Sequence, residues 1–298
     1  MHKTISNSSL RLRGMGPKVG YLGRRFHAWW EGHGFDPALE RRAVLLGSRG
    51  VGSLNDVQDQ TSFIGEALWG PGRMGPGSPS WTMLLARTLM IDEKAKVGVF
   101  GAERGGVLYD LQSGTNWHVS GYSHSAVSMP QIRLNNYNRM NKRRHKPALD
   151  GAMMLFEMYR EPEPKTQLDI LAQMLLPGGK AILVDFTSLR RDVRLKHAFS
   201  GHWNGILRHS SDYDALAKQS GLSVTNIVDV TPQYLPLISQ GWASWRYAWQ
   251  ILSDIPDNRQ RQHMLNLMTE YASIWAERYD AMRSGQLLVS RMMVEKLR

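Results

Sequence analysis

Gly101-Ala-Glu-Arg-Gly-Gly106 is the stretch of this chain whose residue types could best do chemistry. Its glycines can turn the backbone tightly or let it lie close to a ligand. The apolar run Val107-Leu108-Tyr109, with Leu111, predicts a helix directly afterwards, and the N-terminal amides of that helix would point at a bound anion. A purely structural turn is the plainer reading of the same residues. Tyr122-Ser123-His124 offers a hydroxyl and an imidazole that could serve as a polar base, or equally a strand-end turn. The other histidines suggest less. His118, His145, His197, His202 and His209 are scattered, and His197 and His202 are separated by Gly201 with no carboxylate placed beside them, so surface histidines are expected rather than a metal site. There is no G-x-S-x-G elbow for acyl transfer and no G-x-x-x-x-G-K-[ST] phosphate loop. With no cysteine, thiolate metal sites and disulfides are excluded, and a reducing compartment is allowed.

The elements that must position the turn follow from hydrophobic pattern. Val97, Val99 and Phe100 form a short buried strand that stops at Gly101. Trp117–Tyr122 predicts a second strand, 131–137 a third and Asp150–Phe156 a fourth. Leu168, Leu171, Ala172 and Leu175 fall on one stripe of a helix over 166–176, which Pro177-Gly-Gly179 would end. Strands at 180–186 and 222–230 follow, the second preceded by a helix over 211–220 that Gly221 closes. Strand, glycine turn, helix, strand is the opening unit of a doubly wound sheet, where ligands bind beyond the strand ends. Upstream, 47–60 reads as a linker. Residues 65–80 hold five Gly and three Pro, a density that argues against a helix and for a lid or binding loop. A helix over 81–90, capped by Ser80, should lead into the first strand. Helices over 235–252 and 258–283 and a terminal strand over 286–295 complete the chain. Trp242, Trp245, Trp249 and Trp275 lie at helical spacing, which fits core packing, with an aromatic cage for a cation as the alternative.

The 298 residues carry a formal charge of +11, which favours anionic partners, nucleic acid included, or simply solvates a basic surface. Residues 1–25 hold six basic and no acidic side chains and fit a basic arm, followed by helices over 24–48; 139–146 is the densest basic run. No apolar window is long enough for a membrane span, and a cytoplasmic location is expected.

The order of elements resembles the class I S-adenosylmethionine-dependent methyltransferase family over roughly residues 61–232. Leu149-Asp-Gly-Ala-Met-Met-Leu155 is similar to that family's aspartate-led fourth strand, and Leu175-Leu-Pro-Gly-Gly179 to the L-x-P-G-G that precedes its fifth. Gly101–Gly106 matches its G-x-G-x-G turn, Gly221 its glycine before strand six, and Gly65-Glu-Ala-Leu-Trp-Gly-Pro-Gly72 a glycine-rich loop of one subgroup. The resemblance implies an α/β, doubly wound, mostly parallel Rossmann-like sheet. It divides the chain into a basic arm with helices (1–60), the methyltransferase domain (61–232) and C-terminal helices with a strand (233–298). It implies S-adenosyl-L-methionine as cofactor and a small-molecule methyl acceptor enclosed by the flanking helices. Gly101, Ala102, Glu103, Gly105 and Gly106 would line the donor, Ser123 and His124 its ribose or adenine, and Met154, Leu155 and Phe156 the far wall, with 69–77 as lid. It assigns no catalytic residue and needs no metal. The chain departs from the family pattern where Glu103 replaces the middle glycine, Val99 the acid of strand one, Ser123 the ribose acid, and Asn135-Asn136 the acidic turn after strand three. Weakened or lost donor binding is one consequence of those departures. A catalytically inactive binding or assembly protein, using the basic face, is the alternative.

Overall fold

A computed structural model describes residues 57–123, 137–139, 148–191, 193–195, 198–199 and 207–297. Seven strands form one sheet in the order β3-β2-β1-β4-β5-β7-β6. They are β1 (Lys96–Phe100), β2 (His118–Ser123), β3 (Tyr137–Arg139), β4 (Leu149–Leu155), β5 (Leu175–Thr187), β6 (Leu222–Asp229) and β7 (Leu288–Lys296). Strands β1 to β5 pair in parallel, and only β7, wedged between β5 and β6, runs against its neighbours. The order reverses at β1, so the crevice beyond the carboxyl ends of β1, β2 and β4 is the switch point where such a sheet binds ligands.

Strand alternation assigns the side chains to two cores. Val99, Met153, Ile182, Val184, Phe186 and Val289 face one core. It is covered by α1 (Val57–Trp69), α2 (Pro79–Arg87), α3 (Gly106–Gly114), α6 (Thr231–Ala243), α7 (Trp245–Ser253) and α8 (Asn258–Arg283). Phe100, Ala152, Met154, Leu183, Met292 and Val294 face the other, covered by α4 (Pro164–Met174) and α5 (Ser210–Gln219). Near-continuous burial along β1, β4 and β5 is what a sheet covered on both faces demands.

Several expected boundaries move. Residues 57–60 belong to α1, and that helix runs through Gly65 to Trp69 despite the glycine and proline density after it. A Cβ on Gly65 would stand 3.1 Å from the Arg73 carbonyl, so the helix lies close against the following loop there. The cap of α2 is Ser78, whose Oγ accepts from the Trp81 amide at 3.1 Å with Pro79 in the first turn, not Ser80. The helix α4 stops at Met174, and β5 takes in Leu-Pro-Gly-Gly as an irregularity: Leu175 pairs with Leu149, Lys180 with Gly151. The first of the two C-terminal helices is interrupted at Ser244. The arm and helices of 1–48, residues 131–136 and 140–146, His124, His145, His197, His202, Asn135 and Asn136 lie outside the described residues.

Candidate functional site

The glycine turn occupies the switch point. Gly101 and Gly105 take left-handed backbone, with φ of 74° and 95°, and so does Glu103 at 51°. Left-handed backbone strains a residue with a Cβ by about 1–2 kcal/mol, so the chain keeps a glycine's path at a glutamate. Gly101 is required by the protein itself. An ideal Cβ there would meet the Leu155 carbonyl at 2.2 Å and the Glu157 Cγ at 2.7 Å, both from the chain leaving β4. Gly105 closes the turn by donating to the Ala102 carbonyl at 2.8 Å and serves as N-cap of α3.

The loop 70–78 lies across this turn. The Gly72 carbonyl accepts from the Arg104 amide at 3.3 Å and the Gly106 amide at 3.0 Å. Gly72 has φ of 72°, and its Cβ would be 2.5 Å from the Gly106 nitrogen. Its own amide donates to Glu66 Oε1 at 3.2 Å, and the Met74 amide donates to Glu103 Oε2 at 2.6 Å. Arg73 pairs with the buried Asp110 of α3, which also accepts from Thr82 Oγ1 of α2 at 2.8 Å. The Tyr271 hydroxyl of α8 donates to the Met74 carbonyl and accepts from Trp69 Nε1 at 3.1 Å. Arg104 approaches Glu66 at 3.5 Å, so the neighbour that balances Glu103 by hydrogen bonding is the Met74 amide. Burial pushes the Glu103 carboxyl up, while the Met74 amide, Arg160 and Arg73 pull it down.

At the carboxyl ends of β4 and β5 stand acids and aromatic rings. Asp185 is fully buried and accepts from the amides of Met158 at 2.7 Å, Tyr159 at 3.2 Å and Phe186 at 2.7 Å. Burial nevertheless pushes its carboxyl up to about 7, against the pull of those amides. Phe156 stacks near Phe186 and Tyr234 at 4.7 and 5.3 Å between centroids, and Trp275 lies 5.5 Å from Trp69. At the opposite end of β1 and β2 an open cavity of about 310 Å³, lined by Met83, Arg87, Ile91 and Trp117 among others, is remote from this crevice and gathers none of these groups.

No protein-family model matches the sequence, and no curated protein does. Solved structures do match. One is a phosphoethanolamine N-methyltransferase from Haemonchus contortus, bound to phosphomonomethylethanolamine and S-adenosylhomocysteine. It superposes with a TM-score of 0.66 at 13% identity, over 82% of this chain and 59% of that one. This chain thus spans less than two thirds of that relative. A mycolic acid cyclopropane synthase bound to S-adenosylhomocysteine gives 0.63 at 13% identity over 80% and 95% of the two chains. The [4+2]-cyclase SpnF gives 0.63 at 12% over 80% and 93%.

The chain has the class I S-adenosylmethionine-dependent methyltransferase fold.

Within that methyltransferase fold the expected lining divides. Gly101, Ala102, Glu103, Gly105 and Gly106 gather at the switch point, with Ala102 fully buried. Leu155 reaches it through its carbonyl, and Phe156 joins the aromatic wall. Met154 does not: alternation turns it into the core with Phe100 and Leu183. Ser123 ends β2 next to the crevice, paired with Arg139 of β3, while His124 lies outside the described residues. Among the tryptophans, Trp275 is buried in the wall, whereas Trp249 is 41% exposed. Sequence reasoning missed Arg73, Asp110, Glu157, Asp185 and Arg278. Only Arg278 left a trace, three residues after Trp275 on a helical stripe.

Proposed function

We propose that this chain is an S-adenosylmethionine-dependent methyltransferase acting on a small-molecule acceptor. The observation that carries the proposal is the left-handed path of Gly101, Glu103 and Gly105 at the switch point, kept although a glutamate occupies the middle position. Strain held at a ligand-binding crevice points to use. The surroundings fit the donor's charge: its sulfonium and ammonium are positive, and the Leu155 carbonyl and the Glu157 side chain border Gly101, with Glu103 two residues on. When bound, the donor supplies a methyl group already activated on a positive sulfur. The chain's own residues then have to hold the acceptor in line and keep water out. Gly101, Ala102, Glu103, Gly105 and Gly106 would hold its amino-acid end. Ser123, with His124, would meet its ribose or adenine, and Leu155 and Phe156 would wall it. Trp69, Phe156, Phe186 and Trp275 make an apolar, water-poor acceptor side.

One observation favours a second reading, a catalytically inactive binding module. The Gly72 carbonyl already takes the amides of Arg104 and Gly106, as a ligand's carboxylate would. Calorimetric titration with S-adenosylmethionine and S-adenosylhomocysteine separates the two. Saturable heat is expected at sub-millimolar concentration, and its absence at millimolar concentration ends the enzyme reading. Glu103→Gly with Ser123→Asp would then create donor binding where the natural chain has none.

A further inference from the structure

The guanidinium of Arg278 on α8 is the one buried cation of the acceptor side whose charge no described carboxylate balances. The residue is 7% exposed. Its carbon lies 4.6 Å from the Trp275 ring centroid, 4.7 Å from Phe199, 5.2 Å from Phe186 and 5.8 Å from Tyr159. Its Nε donates to the Ala198 carbonyl at 2.8 Å. Among the described residues no acid forms an ion pair with it, whereas the buried Arg73 has Asp110. An arginine cannot shed its proton to escape burial, so its charge has to be met by a partner. The rings supply part of that through their faces. The two terminal nitrogens form a planar fork matched to two oxygens of one oxyanion. The cage adjoins the crevice. Phe186 and Trp275 are shared with the aromatic wall, and a Cβ on Gly75, in the loop covering the glycine turn, would touch the Trp275 ring at 3.4 Å.

We propose that Arg278 anchors the acceptor by a carboxylate or phosphate group, so the substrate is a small oxyanion-bearing molecule held on the far side of the aromatic wall from the donor. This deepens the methyltransferase reading and rests on its placement of the acceptor. The aromatic rings keep the guanidinium poorly hydrated, which strengthens its pairing with an oxyanion and selects against uncharged acceptors.

The test is titration of the full chain with inorganic phosphate and, separately, acetate, against chloride at matched ionic strength, read by tryptophan emission. A saturable change with one or both anions is expected, absent in Trp275→Phe because that ring touches the cation. Arg278→Gln should weaken it at least tenfold, and Arg278→Lys should restore part of it, which a merely structural arginine would not allow. Which anion saturates first assigns carboxylate or phosphate. If Arg278→Gln does not fold, the comparison of the natural chain with Trp275→Phe still decides. No response beyond chloride, or an equal response in Trp275→Phe or Arg278→Gln, overturns the proposal. Parallel titration with S-adenosylhomocysteine reports on donor binding alone, so failure of the donor site and failure of the anion site give different results.

Discussion

At Gly101 the sequence shows a residue without a side chain, and the structure shows why the protein needs it irrespective of any ligand. Gly101→Ala would push a Cβ to 2.2 Å from the Leu155 carbonyl while forcing left-handed backbone, and should destabilise the fold by about 3 kcal/mol. Gly178→Ala has the same sign of φ but nothing within 4 Å, and should cost only about 1 kcal/mol. Urea unfolding of the two variants checks the difference. Asp185 makes a second case. Its folded-state pKa of about 7 lies above the ordinary carboxyl value of 3.8, so the native state holds a proton that the unfolded chain releases. The stability this contributes is full below about pH 4 and lost as the pH rises toward 7. Chemical denaturation between pH 4 and 8 should show stability falling through that window, and Asp185→Asn should flatten the slope. Glu103 is shifted in the same direction and adds to it. Neither burial was legible from residue types: Asp185 sits mid-run in an apolar strand, and nothing in the sequence says that the chain leaving β4 folds back to place the amides of Met158 and Tyr159 on it.

Among the elements, β1 and β4 could be read from their apolar runs to within a residue or two, because strands covered on both faces leave an uninterrupted signal. The loop 70–78 was legible as a loop, since no helix tolerates that proline and glycine density. Its partners were not, because Arg73 and Asp110 are 37 residues apart and meet only after α2 and α3 pack. The same holds for α1, where local composition suggested a break and tertiary packing under the loop overrode it. Breaking one side of this buried pair should be costly. Asp110→Asn leaves Arg73 without a counter-charge and should destabilise the fold by about 3 kcal/mol. A double-mutant cycle with Arg73→Met should recover much of that loss, since a paired removal leaves no stranded charge. If the two effects simply add, the loop is not held by this pair.

At the scale of the whole molecule, element order was the most legible property, since connection lengths and the strand-ending glycines constrain a doubly wound sheet to few topologies. The insertion of β7 between β5 and β6 was not legible, because a terminal strand carries no mark of where in the sheet it pairs. Fold and function also separate at this scale. A cyclase, a cyclopropane synthase and an N-methyltransferase share the architecture at similar TM-scores, so activity has to be argued from the switch point and not from the sheet. The charge of +11 speaks to anionic partners and not to the fold. The central claim is that the turn after β1 cradles the donor's amino-acid end. Amide chemical shifts of the glycines, followed by NMR as S-adenosylhomocysteine is added, test it most directly. Saturable shifts at Gly101, Gly105 and Gly106, with Gly178, Gly221 and Gly285 unmoved, are the expected result. Unchanged turn glycines, or shifts confined to other parts of the sheet, would contradict it.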